Sequence, residues 1–171
     1  MIRNNKLFVA AGAAALSVSL YSASTTAATV NANASANVLE PLGITVGATT
    51  MNFGDVAADP LVGTTVVLTT GGTASSTDGA SVSGTSSAGA FNVTGAASAA
   101  YDISLPDDVT VVLTGAGTDM PVTGFTSSLG ASGTLDILGQ QSFTVGATLN
   151  INANQAADNY TGTYDVTVNY Q

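Results

Sequence analysis

The sequence predicts an all-β protein, in which a single β-sandwich follows a cleaved signal peptide. Short runs of alternating or continuous apolar residues recur along the chain, separated by Gly, Pro, Asn, Asp or Ser. Beyond the N-terminal apolar run, no window of helical length combines a helical apolar period with good helix formers. Many short strands divided by turn residues are typical of a sandwich or a barrel, and one domain is expected at this length.

Residues 1–28 are predicted to be a secretory signal peptide. Two cationic residues, Arg3 and Lys6, precede an apolar run that ends in small residues near Ala28. The run is shorter than the roughly 20 residues of a membrane-spanning helix, and no cationic stop follows it. We therefore expect a mature domain of residues 29–171 that is secreted or held at the cell surface, and that does not span a membrane.

The first mature segment, TVNANASANV at residues 29–38, alternates Ala or Val with Asn or Ser. This period-two alternation predicts a β-strand with one face of small apolar side chains. That face consists of Val30, Ala32, Ala34, Ala36 and Val38. An isolated strand needs a partner, and two partners fit the pattern. One is a strand of the same domain, such as the C-terminal one, and the other is an open sheet edge on a neighbouring molecule.

Further strands follow from the same kinds of pattern. Their inward faces are clearest where Phe91 and Val93, and then Tyr101 and Ile103, alternate with polar residues. Gly146 interrupts the longest run and predicts a β-bulge there. The predicted strands are residues 42–46, 50–53, 64–70, 89–94, 100–105, 109–114, 119–126, 133–138, 141–152 and 160–170.

Two segments between these runs are predicted to lie outside strands. The Gly-, Ser- and Thr-rich tract at residues 71–88 predicts a mobile surface loop. The sequence Leu-Pro-Asp-Asp at residues 105–108 predicts a turn. Asp107 and Asp108 form a carboxylate pair, but adjacent residues on a strand point to opposite faces, so the pair is not expected to be catalytic.

The C-terminal stretch, YTGTYDVTVNYQ at residues 160–171, is as regular as the first strand. Its predicted apolar face consists of Tyr160, Gly162, Tyr164, Val166, Val168 and Tyr170. We expect a sheet to hold this end of the chain, because loose ends fray.

The charge of the mature chain excludes several kinds of partner. Arg3 and Lys6 are the only Lys or Arg residues, so residues 29–171 carry eleven carboxylates and no cationic side chain. Nucleic acid is excluded as a partner, because its binding needs cationic side chains that displace phosphate counterions. Anionic lipid surfaces are unfavourable for the same reason.

The residue types that are missing also limit the chemistry. The chain contains no His and no Cys, so it can form neither a Ser-His-Asp nor a Cys-His arrangement. Sites for zinc, haem and iron–sulfur clusters lack their usual ligands, and no EF-hand or nonapeptide spacing for calcium is present. We therefore predict no enzyme activity, and the sequence identifies no catalytic, cofactor-binding or metal-binding residue.

A family resemblance rests on six segments: PLGITV, MNFGDV, SSAGAFNVTG, YDISLP, FTVGATLNI and YTGTYDVTVNYQ. They resemble the recurring blocks of a bacterial secreted family catalogued as domain of unknown function 4402, from about residue 36 to Gln171. Members of that family are similar to spore-coat-U and chaperone–usher pilin proteins, which are immunoglobulin-like β-sandwiches. Tyr170 lies where such pilins have a penultimate aromatic residue. Unlike many of them, this chain has no disulfide, and Asp158 stands where they often have Gly.

The resemblance implies a surface or fimbrial subunit and brings no catalytic residues. We expect a secreted, non-enzymatic structural or adhesive subunit, for which pairing of strand edges with copies of itself or other subunits is one route of assembly. A small outer-membrane β-barrel and a secreted carbohydrate-binding module are the alternatives. The sequence leaves open the binding partner, the oligomeric state, any specific calcium site, and whether residues 29–38 pair within their own domain or with a neighbour.

Overall fold

The computed structural model describes residues 27–107 and 111–171, and every regular element in these residues is a β-strand. Residues 37–171 form one compact unit. The predicted signal peptide, apart from its last two residues, and Asp108 lie outside the described residues. The strands are β1 (Gly43–Val46), β2 (Asp55–Val56), β3 (Thr64–Leu68), β4 (Ala74–Ser76), β5 (Val82–Ser83), β6 (Gly89–Thr94), β7 (Ala100–Ser104), β8 (Val111–Leu113), β9 (Met120–Ser127), β10 (Ser132–Thr134), β11 (Gln140–Ile151) and β12 (Thr167–Tyr170).

The largest sheet is built around the long strand β11, and all of its pairings are antiparallel. The first half of β11 pairs with β6, and the second half pairs with β3 on one edge and with β9 on the other. β1, β4 and β8 extend the sheet beyond β6, β3 and β9. The register between β11 and β9 shifts between Gly146 and Thr148, which confirms the predicted bulge.

A second, three-stranded sheet has the order β10-β7-β12, and a third consists of β2 and β5. Tyr101 in the middle of the three-stranded sheet lies opposite Gly133 on one side and Tyr170 on the other. The apolar faces of these sheets pack against the largest sheet, which makes the domain the predicted all-β sandwich.

Two clusters of buried side chains form the core. The first, between the largest sheet and β7, β10 and β12, contains Phe91, Val93, Tyr101, Ile103, Leu135, Phe143 and Val145. The second lies on the face formed by β3, β8, β9 and β11, and contains Phe53, Val66, Leu68, Val111, Met120, Val122, Ala147, Leu149 and Ile151. The predicted inward faces of β6, β7 and β11 all contribute to these clusters, because alternate residues of a strand share a face.

The predicted strand at residues 29–38 is wrong. Residues 27–42 form no strand, and every residue from 29 to 38 is exposed. The alternation would place the apolar side chains on one face of a strand. Most of them are Ala, which buries little apolar surface, so burial of this face contributes little free energy to strand formation.

The prediction of a loop at residues 71–88 is also wrong, since β4 and β5 lie within this tract. Hydroxyl groups hold its backbone in place. Ser76 Oγ accepts hydrogen bonds from the amides of Asp78 and Ala80, and Ser86 Oγ donates to the carbonyl oxygen of Gly72 at 2.8 Å. Hydrogen bonds of polar side chains thus hold this tract in place. The tract therefore lacks the alternation of apolar residues from which a strand is predicted.

Three other predicted strands are much shorter in the structure than predicted. Residues 50–53 contribute one bridge, between Asn52 and Ser87, and residues 133–138 leave the sheet after Thr134. In the C-terminal stretch only β12 is a regular strand, and Thr161 forms an isolated bridge with Thr114. The predicted alternation is confirmed over residues 164–171, where the even-numbered residues are half-buried and the odd-numbered ones are exposed, but Gly162 on the predicted inward face is exposed.

Candidate functional site

A groove of about 760 Å³ opens over the second core cluster. Two segments form its sides: residues 50–58, which we name the first bank, and residues 155–162 with Tyr164, which we name the second bank. We name the surface between them the floor. The floor consists of Val111, Leu113, Met120, Val122, Phe125, Leu149 and Ile151.

The first bank is bonded along one edge. Asn52 exchanges both backbone hydrogen bonds with Ser87, at 2.8 and 2.9 Å, and the amide of Ala57 donates to Ser81 at 3.1 Å. Backbone groups of successive strand residues alternate between the two edges. The amide and carbonyl groups of Met51 and Phe53 therefore point away from Ser87.

The second bank is bonded in the same way. Thr161 exchanges both backbone hydrogen bonds with Thr114, at 2.9 and 3.0 Å. The backbone groups of the residues on either side, Tyr160 and Gly162, therefore point away from Thr114. Within residues 27–107 and 111–171, no strand pairs with this other edge of residues 160–164.

Side-chain hydrogen bonds fix the start of the second bank. The hydroxyl of Tyr160 donates to the carbonyl oxygen of Ala156 at 2.9 Å and accepts from the amide of Gly117 at 3.0 Å. Gln155 Nε2 adds a further bond to that hydroxyl at 2.8 Å. Asp158 accepts a hydrogen bond from the amide of Ala116 at 2.7 Å. The start of the second bank is thus held in place by these hydrogen bonds.

Tyr164 lies where the groove meets the other core cluster. Its ring centroid is 5.4 Å from that of Phe125 and 6.1 Å from that of Phe91, the latter in an edge-on arrangement. The hydroxyl lies over Gly89, where any Cβ atom would overlap it. Burial raises the pKa of the Tyr164 hydroxyl, which is therefore neutral at physiological pH.

The floor is apolar and the rim is acidic. Val122 and Leu149 are only 1% and 4% exposed, so neighbouring side chains of the same cluster already cover this part of the floor. Asp55 and Asp158 lie on opposite banks, and the part of the chain that the structure describes contains no Lys, Arg or His. The groove thus offers backbone hydrogen-bonding groups, a shallow apolar surface and negative charge, but no nucleophile activated by a neighbouring base.

The carboxylate pair singled out in the sequence is only partly described. Asp107 is exposed and lies outside the strands, between β7 and β8, while Asp108 is beyond the described residues. In the described part of the chain, no three carboxylates are grouped so that they could hold a metal ion. The described residues also include no helix that is long and apolar enough to cross a membrane.

Sequence reasoning found one bank of the groove and missed the other. The regular pattern of residues 160–171 pointed to the second bank. The first bank was predicted only as a short strand at residues 50–53, and nothing local shows that it faces residues about a hundred positions later. The signal that could have found it is the run Met51, Phe53 and Val56, whose apolar side chains all pack on the second cluster.

Comparison with known proteins adds a family and no function. No curated protein and no solved structure matches the chain. The model of a family described as a domain of unknown function, DUF4402, matches residues 42–170, which include both banks and all twelve strands. The resemblance drawn from the six sequence segments is thereby confirmed at the level of that family, and the chain belongs to the DUF4402 family.

Proposed function

We propose that this protein is a non-enzymatic structural or adhesive subunit of a bacterial cell surface, and that it assembles by taking an extended segment of another subunit into the groove. One observation carries the proposal: two segments, bonded through Asn52 and Thr161 to a neighbouring segment on one edge, lie on either side of a shared apolar floor. A strand placed between them would hydrogen-bond to both banks.

Addition of a strand to an open edge is a recurrent mode of peptide recognition. Main-chain hydrogen bonds supply affinity, and alternate side chains contact the surface below. Proteins usually protect such edges, because they are prone to unwanted pairing. An edge that stays open beside an apolar floor is therefore a feature to explain, and assembly explains it.

The remaining features of the chain support the same proposal. The predicted signal peptide and the bacterial secreted family indicate export. The similarity of that family to spore-coat-U and pilin proteins suggests a surface assembly. A mature chain without His, Cys, Lys or Arg has few means of activating a substrate, which favours a structural role over catalysis.

The test is whether assembly depends on the groove. Ala156 is exposed on the second bank, so Ala156→Trp fills the groove without disturbing the core. Ala131 is equally exposed, lies outside the groove, and provides the matched control Ala131→Trp. Material sheared from cells is analysed by gel electrophoresis without heating, and by electron microscopy of the cell surface.

We expect a ladder of assemblies from the wild-type protein and the control. For Ala156→Trp we expect a loss of at least about tenfold in the bands above the monomer, which is a free-energy change of about 1.4 kcal/mol. Circular dichroism of each purified variant checks the fold. Equal ladders from both variants would contradict a role for the groove, and a wild-type protein that is only ever monomeric would contradict the proposed function.

A further inference from the structure

We infer that the outer face of the largest sheet binds the same face of a second copy of this chain. This contact is separate from the groove and does not depend on the proposed function. Three observations support it: the position of the charges in the chain, the hydrogen bonds of the side chains on this face, and the size of the face.

We name as the outer face those side chains of the largest sheet that point away from the two core clusters. Antiparallel pairing brings them together in rows that cross the strands. One row runs from β1 across β6 to β11 and consists of Thr45, Asn92 and Ser142. Another runs from β4 across β3 and β11 to β9 and consists of Ser75, Val67, Thr148 and Thr123. The outer face is therefore made of small side chains, most of which carry a hydroxyl or an amide.

The outer face carries no charge. None of the seven strands of the largest sheet contains Asp, Glu, Lys or Arg. The two smaller sheets do contain carboxylates, Asp102 in β7 and Asp55 in β2. Strand propensity favours Thr over Asp, but it acts on the smaller sheets as well, so it does not by itself explain the difference.

A face without charge matters most for a partner that is itself acidic, because carboxylates do not repel a neutral ligand. A second copy of this chain is such an acidic partner, since residues 29–171 carry eleven side-chain carboxylates. The same residues contain no Lys or Arg, so no salt bridge between side chains can join two copies. Two copies can therefore approach closely only where neither presents a carboxylate, and the outer face meets this condition.

Several polar side chains of the outer face already have partners within the chain. The hydroxyl of Ser142 donates a hydrogen bond to Asn92 Oδ1 at 2.8 Å. Asn150 Nδ2 donates to Thr123 Oγ1 at 3.0 Å. Burial of a polar group costs most when the group is left without a partner. Exclusion of water from these bonded groups by a second copy is therefore tolerated.

The outer face is also large enough for a stable contact. The twelve residues of β11 extend over about 40 Å, and the five neighbouring strands β4, β3, β11, β9 and β8 cover about 20 Å. The area is thus on the order of 800 Å², which is what each partner buries in a standard protein interface. Val67 and Val112 add apolar surface to it. Two copies of one sheet share the same twist, which suits aligned packing of sheet on sheet.

A contact between two copies of the same face closes into a dimer with two-fold symmetry, in which each added charge occurs twice. Asn92→Asp adds a carboxylate with almost no change of shape and keeps the oxygen that accepts the bond from Ser142. Thr94→Glu adds one at the next exposed position of the outer face in β6. The matched control is Thr134→Glu, at an exposed position of β10 in the three-stranded sheet.

Sedimentation equilibrium of the purified mature protein in about 150 mM salt measures the dissociation constant of the dimer, and circular dichroism checks the fold of each variant. At this ionic strength the Debye length is about 8 Å, so a distant added charge has little effect. We expect the average mass of the wild-type protein to rise with concentration toward that of a dimer. Like charges that face each other oppose association, so Asn92→Asp and Thr94→Glu should each raise the dissociation constant at least about tenfold. Thr134→Glu should change it by less than about twofold.

A wild-type protein that stays monomeric at the highest concentrations would contradict the inference and leave the outer face to a different partner. Equal weakening by Thr134→Glu and by the two outer-face variants would contradict it as well. Ala156→Trp separates this inference from the proposed function, because the substitution lies in the groove. Its dimer should be as stable as that of the wild-type protein, and loss of this dimer would assign the association to the groove. A stable dimer together with equal ladders from Ala156→Trp and Ala131→Trp would contradict only the role proposed for the groove.

Discussion

The hydroxyl of Tyr170 donates a hydrogen bond to the carbonyl oxygen of Glu40 at 2.8 Å, and so joins the penultimate residue of the chain to the segment that enters β1. The same hydroxyl accepts a bond from the amide of Ala96 at 2.7 Å. Two backbone segments that are far apart in sequence therefore meet at one side chain. The end of β12 is therefore held against two other segments of the domain by hydrogen bonds.

Replacement of Tyr170 by Phe removes both of these bonds and keeps the ring. We expect Tyr170→Phe to lower the free energy of unfolding by about 1–2 kcal/mol, because each net hydrogen bond contributes about 0.5–1.5 kcal/mol. Urea unfolding measures the change. Gln171→Ala is the control, since it removes only an exposed bond to Asp102 and should cost less than about 0.5 kcal/mol. Equal losses in the two variants would show that the Tyr170 bonds add nothing specific.

Replacement of Tyr101 by Phe should not lower the free energy of unfolding, unlike the same replacement at Tyr170. Tyr101 is fully buried, and its hydroxyl has no hydrogen-bond partner in the part of the chain that the structure describes. A buried, unsatisfied hydroxyl costs about 1–3 kcal/mol. We therefore expect Tyr101→Phe to leave the free energy of unfolding unchanged or to raise it by about 1 kcal/mol. The measurement is the same urea titration, and a loss above about 1 kcal/mol would indicate that the hydroxyl has a partner in solution.

Alkaline pH should destabilise the fold through its buried tyrosines. Burial raises the pKa of Tyr101 and of Tyr164 above the ordinary value of 10.0, so the folded state holds these protons more tightly than the unfolded state does. Their contribution to stability is complete below pH 10 and is lost as the pH rises through the raised pKa values. Residues 29–171 contain no Lys, Arg or Cys, so no cationic or thiol side chain adds to this effect.

We expect the free energy of unfolding to be steady between about pH 8 and about pH 9.5, and then to fall. Tyrosinate absorbance should report two hydroxyls that ionise late or only on unfolding. Tyr101→Phe should make the decline less steep, because one of the two protons is removed. A decline that is as steep in this variant as in the wild-type protein would assign the effect to other groups.

The bulge in β11 gives a prediction at a glycine. Gly146 is buried, and a Cβ atom there would overlap the backbone carbonyl oxygen of Leu68 in β3. Backbone atoms cannot swing aside, so we expect Gly146→Ala to lower the free energy of unfolding by about 1–3 kcal/mol. At Gly71 the nearest neighbour of an added Cβ is a side-chain oxygen 3.7 Å away. Gly71→Ala should therefore be near neutral, and equal effects at the two glycines would contradict the steric explanation.

The elements that could be predicted from sequence are those whose pattern is set by burial on one face. Phe91 and Val93 define β6 with its observed bounds, and the Gly146 bulge in β11 was predicted at its observed position. In both cases the local sequence records which side chains meet the core. Local pattern and tertiary environment agree there, so the prediction holds.

The elements that could not be predicted depend on partners elsewhere in the chain or outside it. Residues 29–38 have the alternating pattern of a strand but form no strand. Alternation alone does not determine which sheet edge, if any, a segment pairs with. The tract at residues 71–88 has strands held by Ser hydroxyls, which composition does not reveal. The groove requires residues 50–58 to face residues 155–164, and such long-range proximity is absent from any local pattern.

Ionic strength should control both stability and assembly. Residues 29–171 carry eleven side-chain carboxylates and no cationic side chain, so folding and association both concentrate negative charge. The Debye length falls from about 30 Å at 10 mM salt to about 8 Å at 150 mM, which screens this repulsion. We expect the free energy of unfolding to rise by on the order of 1 kcal/mol over that range, and the ladder to lengthen. Sodium chloride and choline chloride should act equally, because screening does not distinguish the cation. A gain seen only with calcium chloride, compared at equal ionic strength, would replace screening by a specific cation site.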